Sequence, residues 1–279
     1  VLDSLITGLS ENVPAGAEFI EGDLTDPATA AAAVDGCEVV LHQAAIPSVP
    51  RSISEPRPSH EANIDATFNV LLAARDAGVR RVVYAASSSA YGDTLVLPKV
   101  EDMPANPRSP YALQKQVGET YCQLFTRMYG LETVSIRYFN VFGPRQHPLS
   151  PYSGVLSLFI KAALAGKAPT IFGDGEQTRD FTFIDNVVDG VLRAVDAPDA
   201  VGEVINVACG GRVSLNNAWA TLEEIVGPLP APTYEPPRAG DVRDSQADIS
   251  KAERLLGYCP HVMFEEGLRR TVEWARRTP

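Results

Sequence analysis

The chain has 279 residues and a mass of 30.0 kDa, enough to bury a substantial core as one large domain or as a larger domain plus a smaller one. Its formal charge of -11 and pI near 4.9 argue against a nucleic-acid or anionic-membrane partner, since either wants clustered lysine and arginine. No apolar run reaches the ~18 residues of a membrane span, Lys161 interrupting the best stretch from Val155 to Leu164, and the start carries no signal-peptide pattern.

Taken in chain order, Val1-Leu2-Asp3 reads as the end of a strand closed by an acid. In a dinucleotide-binding unit such an acid takes the adenosine ribose hydroxyls, about 20 residues after a glycine-rich phosphate loop. On the residue alone a surface carboxylate is at least as good a reading. No G-x-G-x-x-G occurs, because Gly173-Asp-Gly175 and Gly210-Gly211 lack the third glycine and come far too late. Glu38 to His42 and Arg81 to Ala85 are short, mostly apolar runs that read as strands buried on both faces. Between them Asn63 to Ala77 predicts a helix with Ile64, Phe68, Leu71 and Leu72 on one side. A second helix is predicted from Tyr111 to Tyr129, ended by Gly130, with a strand from Thr133 to Arg137 after it. The proline-rich segment from Gly227 to Gly240 reads as an extended loop. Alternating strands and helices imply an α/β fold with a parallel, doubly wound sheet, whose ligands bind at the carboxyl ends of the strands. Cys37, Cys122, Cys209 and Cys259 form no C-x-x-C and the four histidines no H-x-x-x-H, so reduced thiols, a cytoplasmic location and no metal are expected.

The chemistry concentrates at Tyr111 and Lys115, which follow Ser87-Ser88-Ser89 by one loop. Positions i and i+4 share a helix face, so the Lys115 ammonium can sit beside the Tyr111 phenol and favour its ionised form. A free phenol titrates near pH ~10, too high for a general base at neutral pH, so a neighbouring cation makes tyrosine usable. Hydroxyls that both donate and accept suit a proton relay to a sugar or alcohol oxygen. A lone Tyr-x-x-x-Lys reads better as a packed ring and a solvated lysine; the strand and helix pattern around this one favours the catalytic reading.

In order and spacing, Leu2-Asp3 with Thr7-Gly8, Gly22-Asp-Leu-Thr-Asp26, His42-Gln-Ala-Ala45, Ser87-Ser-Ser-Ala-Tyr-Gly92, Ser109-Pro-Tyr-x-x-x-Lys115, Arg137-Tyr-Phe-Asn140, Gly173-Asp-Gly175 with Arg179-Asp-Phe181, and Gly240-Asp-Val-Arg243 form a set. With it the chain resembles the extended short-chain dehydrogenase/reductase group, the NAD-dependent epimerases and dehydratases, and within it the nucleotide-sugar 4-epimerases. The resemblance implies a Rossmann-like domain from 1–145 and about 176–208, and a smaller α/β nucleotide-sugar domain from about 146–175 and 209–279. It implies NAD as cofactor, with Asp3 on the adenosine ribose, Asp23 and the Leu24 backbone at the adenine, and Ala44 and Ala45 small enough for backbone to approach. Tyr111 is the implied acid and base, Lys115 its tuner and nicotinamide-ribose ligand, and Ser87 the hydroxyl relay, with Ser88 and Ser89 beside it. Asn140, Arg179 and Arg238 are the implied diphosphate anchors and Asp241 the uridine ribose ligand. A UDP-sugar substrate and a homodimer through a helical interface are implied as well.

Two departures from the resemblance bear on function. Sugar 4,6-dehydratases place an Asp-Glu pair where this chain has Ser88-Ser89, and UDP-glucuronate decarboxylases favour a glutamate there, so dehydration and decarboxylation are disfavoured relatives. Some epimerases carry a bulky tyrosine at the position of Ser245, whose small side chain leaves room for an N-acetyl group. UDP-GlcNAc/UDP-GalNAc interconversion is therefore expected, with UDP-glucose/UDP-galactose beside it, a UDP-glucuronate epimerase/decarboxylase or sugar dehydratase relative as the alternative and an inactive nucleotide-binding scaffold as the rival class. The glycine-rich opening of the family's fold has no counterpart. The chain thus reads as a fragment lacking the first strand and phosphate loop, which should expose apolar sheet edge, weaken cofactor retention and can leave it inactive.

Overall fold

The computed structural model describes residues 1–146, 154–237 and 242–277. They form two compact units, the first comprising Val1–Gly92, Pro104–Arg137 and Val191–Ile205, the second Asp93–Met103, Tyr138–Gly190 and Asn206–Pro279.

The first unit carries the strand and helix alternation expected of it. Leu2–Asp3 pairs in parallel with Ile20–Glu21, and a four-stranded sheet runs in the order Val204–Val207, Glu132–Tyr138, Arg81–Ser87, Val39–His42. The last two strands are parallel, with His42 opposite Tyr84. Arg81–Ser87 is buried through its first six residues, as its apolar run requires, whereas Val39–His42 lies at the sheet's edge and leaves Leu41 44% exposed. Over the sheet pack Val34, Leu71, Val82, Tyr84 and Phe125.

The local chemistry explains where the helices begin. Asp26 caps Pro27–Val34 by accepting from the Ala28 and Thr29 amides, with proline at the first helical position. Ser109 does the same for Pro110–Tyr129, accepting from Ala112, and that helix stops at Gly130 in the left-handed region (φ 72°), as predicted. The helix expected from Asn63 differs. A π turn over Glu61–Asp65 precedes Ala66–Asp76, and the residues fully buried there are Ala66, Thr67, Val70, Leu71 and Ala74, with Ile64, Phe68 and Leu72 only half-buried. The extra residue in that turn directs Asn63 inward, which a uniform 3.6-residue period cannot anticipate.

The second unit is built on short strands around an aromatic core that includes Phe142, Phe159, Phe181, Phe183 and Trp219. The proline-rich segment is not wholly a loop, because Thr233–Glu235 pairs in parallel with Thr170–Phe172. Tyr234 and its neighbours alternate well enough for a three-residue edge strand, and the flanking prolines lie outside it. Val155–Leu164 is a helix of 10 residues, and among the described residues no helix is long and apolar enough to cross a membrane.

Candidate active site

In the first unit the residues expected to handle a proton come together. Ser87 closes the Arg81–Ser87 strand and caps the following turn, accepting from the Ser89 amide at 3.2 Å and the Ser89 hydroxyl at 2.9 Å. Ser88 lies half-buried on the same turn. Tyr111 sits in the first turn of Pro110–Tyr129, its amide donating to Ser52 Oγ at 3.1 Å, and Ser87 is the neighbour that favours its ionised phenol. One turn on, Lys115 is buried and its ammonium donates to the Ala85 carbonyl at 2.7 Å.

The electrostatics correct one expectation. Burial pushes the Tyr111 phenol above its ordinary value, and the group that opposes this is Ser87, not Lys115. Burial likewise lowers Lys115 to about 8, with Cys122 and Glu119 working the other way. The ammonium is committed to the Ala85 carbonyl and lies 4.9 Å from the centre of the Tyr84 ring. Sharing a helix face is thus not enough to lower the phenol, because both groups lose water together.

A buried polar network positions these groups, and no motif or period in the sequence marks it. Asn63 accepts from the Ile46 amide at 2.7 Å and donates to Gln114 Oε1 at 2.8 Å, and Ser59 donates to the same oxygen at 2.9 Å. Gln114 lies between Tyr111 and Lys115 on the helix, and Ile46 directly follows Ala44-Ala45. One set of hydrogen bonds therefore ties the helix to that loop. Further along, Arg137 makes a bidentate pair with Glu119, both bonds 2.8 Å, and its guanidinium lies 4.5 Å over the Tyr91 ring. His42 is held neutral, its pKa lowered to about 3 by burial and by the Lys115 charge, and its Nε2 lies 3.0 Å from Thr67 Oγ1.

The residues expected to hold a dinucleotide each end or follow a parallel strand of this unit. Asp3 Oδ1 accepts from the Leu5 amide at 2.7 Å, and backbone at Gly8 comes so near that a Cβ there would lie 2.6 Å from the same oxygen. Only glycine fits that approach. Asp23 accepts from the Thr25 amide at 2.9 Å, and Asn69 fixes the turn by donating to the Leu24 and Thr25 carbonyls at 2.9 and 3.1 Å. Ala44 is exposed and Ala45 half-buried, so small side chains leave the backbone after His42 open. Carboxylates for ribose and amino groups beside uncovered backbone fit a nicotinamide dinucleotide.

In the second unit Asn140, Arg179 and Ser245 lie on linked main chain. Asn140, at φ 31°, accepts through its carbonyl from Thr182, and Ser245 donates through its amide to Thr178 at 3.1 Å. Arg179 is half-buried and Nη1 donates to the Thr178 and Arg243 carbonyls, each at 2.9 Å. Asp244 joins this group, accepting from Thr178 Oγ1 at 2.6 Å and Arg212 at 3.2 Å. Arg238 and Asp241 lie outside the described residues. Nearby, Asp180 is buried and raised to about 6, although amides of Cys209 and Ala247 reach it at 3.1 Å each. It borders a cavity of about 480 Å³ with Phe181, Arg212, Val213 and Phe264. Among the described residues no group of three or more His, Cys, Asp or Glu could hold a metal ion.

The comparisons with known proteins agree with one another. A model of the NAD dependent epimerase/dehydratase family matches residues 1–208. The chain is 40% identical over 282 residues to a UDP-glucose 4-epimerase of Mycolicibacterium smegmatis, covering 99% of this chain and 90% of that protein. A crystal structure of the UDP-glucose 4-epimerase of Thermotoga maritima with UDP-glucose matches at a TM-score of 0.96 and 37% identity, over 99% of this chain and 90% of that one. The UDP-N-acetylglucosamine 4-epimerase of Methanobrevibacter ruminantium, in complex with UDP-N-acetylmuramic acid, matches at 0.95 and 36%, over 100% and 90%.

Proposed function

The chain belongs to the NAD-dependent epimerase/dehydratase family, and from that premise we propose that it is a UDP-sugar 4-epimerase acting on UDP-GlcNAc and UDP-GalNAc. The observation that carries the reading is Ser87 beside the Tyr111 phenol, where it favours the ionised form, with the buried Lys115 ammonium one helical turn on. NAD held by these residues would supply the hydride acceptor and donor for C4 and, in its oxidised form, a cationic nicotinamide ring. The first unit is the proposed dinucleotide domain, with Asp3, Asp23, Leu24, Ala44 and Ala45 as its ligands.

The chain's own residues move the proton. Ser89 holds the Ser87 hydroxyl through the 2.9 Å bond, so that Ser87 can pass the proton of the sugar 4-hydroxyl to Tyr111. Burial favours the protonated phenol in the protein alone, with Ser87 opposing it, and a cationic cofactor ring beside Tyr111 would favour the ionised form further. Tyr111 and Ser87 return the proton to the 4-oxygen after the keto sugar has turned over, and C4 is inverted because its hydrogen comes back on the opposite face, with no net redox change. Asn140, Arg179, Arg238 and Asp241 are the proposed nucleotide anchors, the guanidinium fork of Arg179 suiting a diphosphate. Ser88 and Ser89 stand where an acid pair would serve elimination, which leaves epimerisation as the chemistry favoured. Small Ser245 is the proposed reason for accepting the acetylated pair.

A homodimer is part of the same proposal, since Leu113, Leu124 and Met128 form an exposed apolar stripe on Pro110–Tyr129. Light scattering should give twice the chain mass, and a monomer at every concentration would remove that part. The test of the activity is a panel of UDP-sugars assayed for their 4-epimers with added NAD. Turnover of UDP-GlcNAc supports the reading, and failure on every sugar refutes it.

A further inference from the structure

Lys115 is an unusual place for a positive charge, because it is 3% exposed and the one hydrogen bond just described satisfies a single ammonium proton. The groups that face it are few. On its own helix are Tyr111, Glu119 and Cys122; Glu119 is already engaged by Arg137 from the Glu132–Tyr138 strand, and the Cys122 thiol is pushed up to about 12 by burial. From Val39–His42 comes a neutral imidazole, and from Arg81–Ser87 come Ser87 and the fully buried Tyr84. The Tyr84 ring is the nearest broad surface, its centre 4.9 Å from Nζ.

Two neighbours shape that ring's position. His42, opposite Tyr84 in the parallel register, has its ring centre 5.7 Å away and backs the phenol from the sheet side. On the helix side Gly118 leaves the space the phenol occupies, since a Cβ there would lie 2.2 Å from Tyr84 Oη. The buried Tyr84 hydroxyl makes no hydrogen bond of ordinary geometry, although Thr67 lies near enough to oppose its raised pKa, so its polar end does little to explain the side chain. What it offers is the aromatic face.

We propose that Tyr84 is a positioning residue for the reaction, its ring face seating the Lys115 ammonium and keeping it protonated in a water-excluded site, with Gly118 making room for that seat. The inference rests on the assignment of Lys115 to the proton-handling site. Desolvated ammonium over a ring gains more than an exposed one does, because the ring's negative face replaces lost water without bringing a proton acceptor or a full charge. A carboxylate in the same place would hold the cation too, but it would also oppose ionisation of Tyr111. The ring stabilises the lysine without that effect.

The experiment separates the ring from the hydroxyl. Tyr84→Phe keeps the face and deletes the hydroxyl, and should retain turnover within about twofold with an unmoved alkaline limb of the kcat–pH profile. Tyr84→Leu, or incorporation of trifluorinated phenylalanine at position 84 with shape preserved and the negative face weakened, should move that limb down by about one pH unit, a tenfold change in proton affinity. Turnover should return when the pH is lowered. NMR titration of Lys115 Nζ, assigned by its loss in Lys115→Met, should show the same shift without any substrate. A merely structural role would lower turnover at all pH values and leave the limb and the Nζ titration unmoved, and that result overturns the proposal, as does an unmoved limb in the fluorinated protein. If the wild-type protein epimerises no UDP-sugar, the functional reading fails while the Nζ titration still decides on the seat.

Discussion

The two units treat their polar residues in opposite ways. Around Tyr111 and Lys115 the polar groups are buried and joined side chain to side chain, as in Asn63–Gln114–Ser59 and Arg137–Glu119. Around Arg179 and Ser245 they lie half-exposed and are held largely by main-chain carbonyls and amides. The difference matches two tasks. The proton relay proposed for the first unit would need fixed distances and little water, as a long helix and a central strand provide, whereas the nucleotide recognition proposed for the second would tolerate short strands and loops.

Substitutions can break or sharpen this contrast, beginning with the largest effect. Tyr111→Phe removes the proton carrier from the rigid unit and should lower kcat by at least ~100-fold, up to ~10,000-fold, at unchanged thermal stability. A coupled 4-epimer assay reads it, and near-normal turnover would dissolve the contrast. Glu119→Gln leaves the Arg137 guanidinium buried without its carboxylate and should cost ~3–5 kcal/mol in urea unfolding, which a surface pair never would.

The pH dependence of stability carries a third prediction. His42 has its pKa lowered from 6.5 to about 3, so below pH 6.5 the unfolded chain takes up a proton that the native protein refuses. His42 thus contributes stability that is present above pH 6.5 and is lost as pH falls toward 3, at up to ~1.4 kcal/mol per pH unit. Comparing denaturation of the wild type and His42→Gln across that window isolates the loss; parallel curves would mean that His42 is hydrated. In the second unit Ser245→Tyr should depress turnover of the acetylated pair by ~10-fold or more relative to UDP-glucose and UDP-galactose. Equal losses on both pairs would remove Ser245 as a size gate. Smallest of all, Arg243→Ala breaks an ion pair with Asp174 whose side chains are 61% and 54% exposed, and should leave the urea midpoint of unfolding where it is, a clear drop showing that the pair is held more firmly than a surface contact.

The same contrast decides how much could be read from the sequence. Tyr111, Lys115 and Ser87 were legible because a helix of 20 residues and a buried strand set their phase, with a serine cap and a glycine stop marking the helix ends. Tyr84 and Gly118 were not, because a strand residue and a helix residue 34 positions on meet only once the sheet is built. Asn63 was missed for a different reason: the π turn that directs it inward breaks the period used to assign its helix. In the second unit the residues expected at the nucleotide come from short segments with no period to follow, and the Thr233–Glu235 strand hid among prolines. Helical spacing places Lys115 on the same face as Tyr111 but carries no information on the water both groups lose, and that loss raises the phenol.

The account turns on a hydrogen removed from C4 and given back to the same carbon while Tyr111 handles only the hydroxyl proton. UDP-GlcNAc carrying deuterium at C4, incubated with the protein and NAD in ordinary water, should yield UDP-GalNAc with the deuterium retained at C4, and Tyr111→Phe should yield none. Loss of the deuterium to solvent in the epimerised product would contradict it.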